Sequence, residues 1–334
     1  MKIPLSKILF FLFGLGAFVY LISRFGLDKI LENIGRAGWS LLYIVGVWLV
    51  IYLLNALSWR LVLGDSAKKI SFPQLFMVTV SGFVINYVTP VIALGGEPYK
   101  IKALSGRFGV QQSLSAVVLY RMVHLLGHML LLFVGIVLAL AVLSLHAAVV
   151  AALSLAGIVV AAIIYVTLLG QRNGIFERLH NLAQKIPMLR HLVGRIVQYQ
   201  DEVRTMDDAL TDVYRNRRGR FYLAVGLEFL SRVCMGFEVY LILYGIGIPV
   251  SLVSALFLYI MYSLVINILF FIPMNLGARE GGLALGLESL ALAPLLGVYL
   301  GVVIRIREFV WILIGLLFIF FTTDKQEYSS PKPS

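Results

Sequence analysis

The chain has 334 residues, of which 60% are hydrophobic and 13% charged, and its formal net charge is +11. A water-soluble domain carries roughly 25% charged residues, so the composition excludes a soluble globular protein and makes the bilayer the main solvent. The basic excess is assigned to loops that meet anionic lipid, and nucleic-acid binding is not expected.

In chain order, apolar runs long enough to cross a membrane lie at about 5–23, 39–59, 72–94, 113–143, 146–169, 221–248, 251–273 and 298–322, with a shorter piece at 282–296. The first run follows Lys2 and Lys7, and no small-x-small cleavage site follows it, so it reads as a retained helix. Residues 170–220 mix apolar and charged residues at helical spacing and hold ten of the 28 Lys and Arg. This stretch is expected to be a cytoplasmic amphipathic linker on the membrane surface, with a solvated helical hairpin as the alternative. The tail 323–334 is polar and expected to be disordered. The expected fold is therefore all-α, a polytopic membrane helical bundle of about 7–9 segments. Residues 1–322 form one transmembrane domain, with a first half at 39–143 and a second half at 221–322.

Charge sets the orientation. With the N-terminus inside, twenty Lys and Arg fall on the cytoplasmic side and four (Arg24, Lys29, Arg36 and Arg279) outside. Both termini are then cytoplasmic. Segment 39–59 ends inside, and Lys100 to Arg107 also belong inside, so 72–94 must enter and return. This places Gly95 to Lys100 near the inner face.

Two prolines and two adjacent glycines in Thr89–Lys100 make a poor spanning helix, and a Glu follows at once. The pattern recurs. Val84-Ile85-Asn86, Pro90, Gly95-Gly96 and Glu97 match Val265-Ile266-Asn267, Pro273, Gly277 and Glu280. The triplets are 181 residues apart, and the prolines and the glutamates 183. With the C-terminus inside, 251–273 plus 282–296 return to the outside, so two re-entrant, broken helices sit in an inverted repeat. Interrupted segments at matching positions of inverted halves point to a transporter's substrate site; a purely structural duplication is the alternative.

Ionisable residues inside apolar segments are functional candidates. Arg121, His124 and His128 form one stripe of a helix. Arg can hold a phosphate bidentately, and His titrates near neutral pH. Glu228 and Arg232, spaced i, i+4, are expected to pair as a structural ion pair, and Arg305 with Glu308. Glu97 and Glu280 end the two broken elements, Glu97 either balancing Arg121 or handling substrate. The substrate candidates are thus Glu97, Lys100, Arg121, His124, His128, Arg279, Glu280, Arg305 and Glu308; the broken backbone is Pro90, Gly95, Gly96, Pro273 and Gly277. The sequence holds no phosphate-binding P-loop, no HExxH and no CxxC. The single cysteine, Cys234, allows no internal disulfide. No metal, cofactor, ATPase chemistry or catalytic residue is expected. Asp28 and Glu32 could serve a membrane glycosyltransferase, but a solvated loop helix is the simpler reading.

The Pro-x(4)-Gly-Gly-Glu-Pro-x-Lys stretch at 90–100 resembles the lysylphosphatidylglycerol synthase transmembrane-region family. So do Arg217-Arg218-Gly219-Arg220 and Pro273-x(3)-Gly277-x(2)-Glu280. The family includes the flippase half of the multiple peptide resistance factor. The resemblance implies a plasma-membrane protein with paired re-entrant helices around a lipid-sized cavity, and lipid flipping between leaflets. The chain stops at 334, so aminoacyl transfer is not expected of it. Its Asn-Leu-Gly-Ala-Arg-Glu motif is less glycine-rich than the family pattern leads one to expect, which leaves the substrate open. The expected function is translocation of an anionic phospholipid or lipid-linked glycan. Two alternatives stay open: a non-transporting accessory protein for a lipid synthase or glycosyltransferase, and a glycosyltransferase using a polyprenyl-phosphate donor. Expected partners are a membrane lipid, such a synthase or glycosyltransferase, and a second copy in a homodimer.

Overall fold

A computed structural model describes residues 38–88, 95–173, 218–270 and 277–322, with single residues at 28, 35, 272 and 275. The first apolar run, most of the linker, the tail, Pro90 and Pro273 lie outside the described residues. Among the described residues there are nine α-helices and no strand.

Helix α1 spans Ser40–Leu63 and runs into a short 3-10 turn at Gly64–Lys69. Its 24 residues reach about 36 Å at 1.5 Å per residue, more than the roughly 30 Å hydrocarbon core. Helices α2 (Phe72–Val88) and α3 (Gly96–Phe108) follow, then α4 (Val110–Val142) and α5 (Ala147–Asn173). The second half holds α6 (Arg218–Gly245), α7 (Leu252–Ile268), α8 (Ala278–Ser289) and α9 (Leu296–Phe321). α1, α4 and α5 are long and apolar enough to cross a membrane unaided. α6 and α9, with 28 and 26 residues, match them in length but carry buried charges.

The arms of the two broken elements are short and match in length. α2 and α7 have 17 residues each, α3 and α8 have 13 and 12. Each pair folds back on itself. A Cβ on Gly96 would lie 2.0 Å from the Gly82 carbonyl oxygen, so only glycine lets α3 approach α2 this closely. Gly282 does the same for α8, where a Cβ would lie 2.5 Å from Tyr262 Cα. At the far end of the first hairpin Arg107 donates to Gln74 Oε1 at 3.0 Å, so the chain has returned to the level at which α2 began.

The halves are related by inversion. α1 and α6, the opening helices of the two halves, form the central seam and run antiparallel: Asn55 meets Glu228 and Ser231, and Ser58 donates to the Ala224 carbonyl. Each hairpin's first arm packs against the closing helix of the other half. Ser81 of α2 donates to Gly315 O of α9, and Ile260 of α7 fills the space beside Gly135 of α4. One apolar core gathers around each hairpin, the first centred on Trp59, Val84, Tyr120 and Trp311, the second on Leu131, Phe257, Leu258 and Leu283. α5 stands apart. It packs mainly on α4, and leaves Leu155, Ile158, Tyr165 and Val166 exposed. Exposed apolar side chains also cover α1, α4 and α9, as a lipid-facing surface requires.

Two sequence expectations need correction. Gly95 to Lys100 does not sit at the mouth of the bundle but opens the return arm α3, level with residues 82–86 of α2, and Lys100 is 1% exposed. The apolar piece expected at 282–296 is a helix that starts earlier, at Ala278, and stops at Ser289. Gly277 takes a positive φ of 79° before it, and its N–H donates to Glu280 Oε2 at 2.9 Å, which caps the helix.

Candidate functional site

Each hairpin presents a carboxylate at the start of its return arm, and in each half an arginine of the next helix meets it. Glu97 of α3 receives Arg121 of α4 at 3.4 Å and Lys100 at 3.7 Å. Glu280 of α8 receives Arg305 of α9 through both Nε (3.2 Å) and Nη2 (2.9 Å). The ion pairs are repeat-equivalent: Glu97 and Arg121 are 24 residues apart, Glu280 and Arg305 25. Their surroundings differ. The Arg121 side chain is 48% exposed, that of Arg305 1%.

The first hairpin is tied by Asn86, whose side-chain oxygen accepts from Gly96 N–H at 2.7 Å while its amide donates to Glu97. Lys100 lies over the ring of Phe83, with Tyr120 and Trp59 beside it. The rings supply cation–π stabilisation where water is absent. Among the described residues, the repeat-equivalent Asn267 turns to α4 instead. Its amide lies 3.3 Å from His128 Nε2, and Ser263 Oγ lies 3.4 Å from the same atom.

The expected pairing of Glu228 with Arg232 is not found. His124 stands between them. Its Nδ1 lies 2.6 Å from Glu228 Oε2, which also accepts from Asn55 at 2.9 Å, and its Nε2 takes a close hydrogen bond from Arg232. The i, i+4 spacing puts both residues on one face of α6, but α4 crosses that face and inserts the imidazole. Arg305 and Glu308 do not pair either. Glu308 turns to Arg279 (2.8 Å) and accepts a short hydrogen bond from the Tyr87 hydroxyl, while Arg305 turns to Glu280.

Two residues outside the expected set form the best-bonded pair of the site. Arg307 donates to Glu238 through Nε at 2.7 Å and Nη2 at 3.1 Å, and its guanidinium lies 3.7 Å from the centre of the Trp48 ring. Both side chains are buried. The sequence held a signal for them. Arg305 and Arg307 are two apart on a helix and face different ways, so each needs its own counter-charge, and Glu238 is the carboxylate left over.

These groups surround a cavity of about 230 Å³ between the halves. Its walls are both aromatic and charged: Trp48, Tyr52, Phe83 and Trp311, with Arg121, His124, Arg232, Arg307 and Glu308 among them. Of the sequence-predicted substrate residues, Arg121, His124 and Glu308 line it. Glu97, Lys100 and Arg279 lie one contact behind, and Glu280 with Arg305 forms a separate clasp on the second hairpin. His128 faces α7, outside this cavity.

An all-helical bundle with an apolar exterior, inverted halves and a charged internal cavity defines a polytopic membrane protein. The chain belongs to the lysylphosphatidylglycerol synthase TM region family, which it matches over residues 7–315. That membership makes it a membrane protein related to lipid handling. No curated protein and no solved structure matches it.

Proposed function

We propose that the protein is a lipid translocase that moves an anionic phospholipid or a lipid-linked glycan between the leaflets of the plasma membrane, with both termini cytoplasmic. One observation carries this reading: a charged, aromatic-walled cavity lies between two antiparallel halves, inside a surface that is otherwise apolar. At about 230 Å³ it is smaller than the roughly 300–1,000 Å³ of sites that enclose a whole small molecule. It suits a headgroup whose acyl chains stay outside in lipid. The hairpins α2/α3 and α7/α8 act as re-entrant gates, one toward each leaflet, with Glu97–Arg121 and Glu280–Arg305 as their clasps. A headgroup phosphate exchanges with the clasp carboxylate for Arg121, and the reverse exchange releases it.

The test is a dithionite-quenching assay on vesicles of phosphatidylcholine doped with tail-labelled phosphatidylglycerol. The reconstituted protein is expected to accelerate transbilayer exchange. Arg121→Ala and Glu97→Gln each remove a charged hydrogen bond and are expected to slow it about tenfold or more. Exchange no faster than in empty vesicles would sink the reading.

A further inference from the structure

Among the described residues, the charges around the cavity do not balance. Glu97 serves Lys100 and Arg121, Glu280 serves Arg305, Glu238 serves Arg307, and Glu308 serves Arg279 with Arg307 at 3.8 Å. Glu228 is held by Asn55 and His124. Six cations (Lys100, Arg121, Arg232, Arg279, Arg305 and Arg307) thus face five carboxylates, and Arg232 has no carboxylate within ion-pair reach.

What Arg232 does have are weak, neutral partners. His124 Nδ1 is close enough to the Glu228 carboxylate to carry the proton, which leaves Nε2 as a neutral acceptor for the Arg232 guanidinium. Arg232 Nη1 points at the Met235 sulfur at 3.4 Å, and its Nε is buried with no hydrogen-bond partner. Arg232 is partly buried, and the nearest carboxylate, Glu228, is screened from it by the His124 ring, so its charge is only partly compensated. It lines the cavity beside Trp48, Tyr52 and Arg121.

We infer that Arg232 is the anchor for one singly charged phosphodiester, that of a phospholipid headgroup, bound in the cavity against Trp48 and Tyr52. The inference rests on the translocase reading and names the residue and the charge that the cavity selects. One monoanion completes the balance of six against five. The planar guanidinium fork matches two phosphate oxygens, and the orphaned Nε–H is one of the two donors needed. Arg121, already paired and half exposed, meets the headgroup on entry; Arg232 holds it at depth. His124 and Glu228 aim the guanidinium from behind and act as positioning residues.

The experiment titrates the full-length protein in detergent with short-chain phosphatidylglycerol, with the matching diacylglycerol and with inorganic phosphate, and reads binding by calorimetry. Phosphatidylglycerol is expected to bind, diacylglycerol to fail, and inorganic phosphate to bind far more weakly. Arg232→Met is expected to weaken phosphatidylglycerol binding roughly ten- to hundredfold, Arg232→Lys to weaken it less, and the surface control Arg60→Met to change nothing. If Arg232→Met is not monodisperse, Arg232→Lys alone carries the comparison. Lipid binding indifferent to both variants overturns the inference, whether or not the protein flips lipid. Inorganic phosphate binding as tightly as the lipid, and through Arg232, overturns the headgroup assignment in favour of a free anion. Arg232-dependent lipid binding without flipping leaves the anchor standing and removes the translocase reading alone.

Discussion

Arg307 and Glu238 show what a buried charge demands of its neighbours. Both are withdrawn from water, so their attraction must offset a desolvation cost of several kcal/mol per ion. Two hydrogen bonds and the face of Trp48 do this. Removing one partner strands the other. Glu238→Gln and Arg307→Met are each expected to lower stability by about 3–5 kcal/mol, read as earlier thermal unfolding in detergent. The double replacement Glu238→Leu with Arg307→Met is expected to regain most of that loss, because no charge is left unpaired. A double variant as unstable as the sum of the singles would show that the residues do not act as a pair. The intramembrane charges could be recognised from the chain alone, since Arg121, His124, Arg232, Arg305 and Arg307 interrupt apolar runs. Their partners could not. Glu228 with Arg232, and Arg305 with Glu308, have ideal helical spacing, yet each turns to another helix, because a partner brought by packing can approach end-on while a neighbour on the same helix must lie along its surface.

At the scale of elements, the long helices and the second return arm were legible and the first return arm, α3, was not. Apolar runs at 39–59, 113–143 and 221–248 became α1, α4 and α6 with small shifts. α3 has no such run. It is held by the bare backbone of Gly96 and by a lysine whose stem lies under aromatic rings, features that a count of apolar residues does not register. The glycine explanation is testable. In Gly96→Ala the new methyl meets the Gly82 carbonyl, which the α2–α3 contact can relieve only by parting. A loss of about 1–3 kcal/mol is expected, as for other overpacked sites, read as earlier thermal unfolding in detergent. Gly106→Ala, exposed near the end of the same helix, is expected to be neutral or mildly stabilising. Equal behaviour of the two variants would count against the close approach.

The whole molecule makes a stricter prediction about sidedness. Both ends of the first hairpin lie level with the end of α1 and the start of α6, while the second hairpin begins just after the end of α6, which the antiparallel seam puts at the level of the start of α1. Cys234 is the single cysteine, so Cys234→Ser provides a clean background for single-cysteine probes. Cysteines at Lys69 and Lys102, both exposed, are expected to react with a membrane-impermeant maleimide from one side only. Cysteines at Ser144, Ser251 and Glu288, also exposed, are expected to react only from the other. Lys69 and Lys102 labelled from opposite sides would mean that α2 crosses, and the inverted arrangement would fall. Charge bias already pointed to this arrangement in the sequence, because Arg60 and Lys100–Arg107 cannot both be cytoplasmic if 72–94 crosses.

Among the described residues, α5 has no counterpart in the second half and packs little against the rest. Its role is one of parity. If the hairpins return without crossing, as proposed, each half makes two crossings, by α1 and α4 or by α6 and α9, and so begins and ends on the same side. Joined directly, the halves would insert in the same sense and could not face each other as antiparallel mates. One further traverse, by α5, turns the second copy upside down. What is required of α5 is therefore an odd number, not a particular surface, and its outward residues are free to drift as long as the strand of chain still passes from one side to the other once.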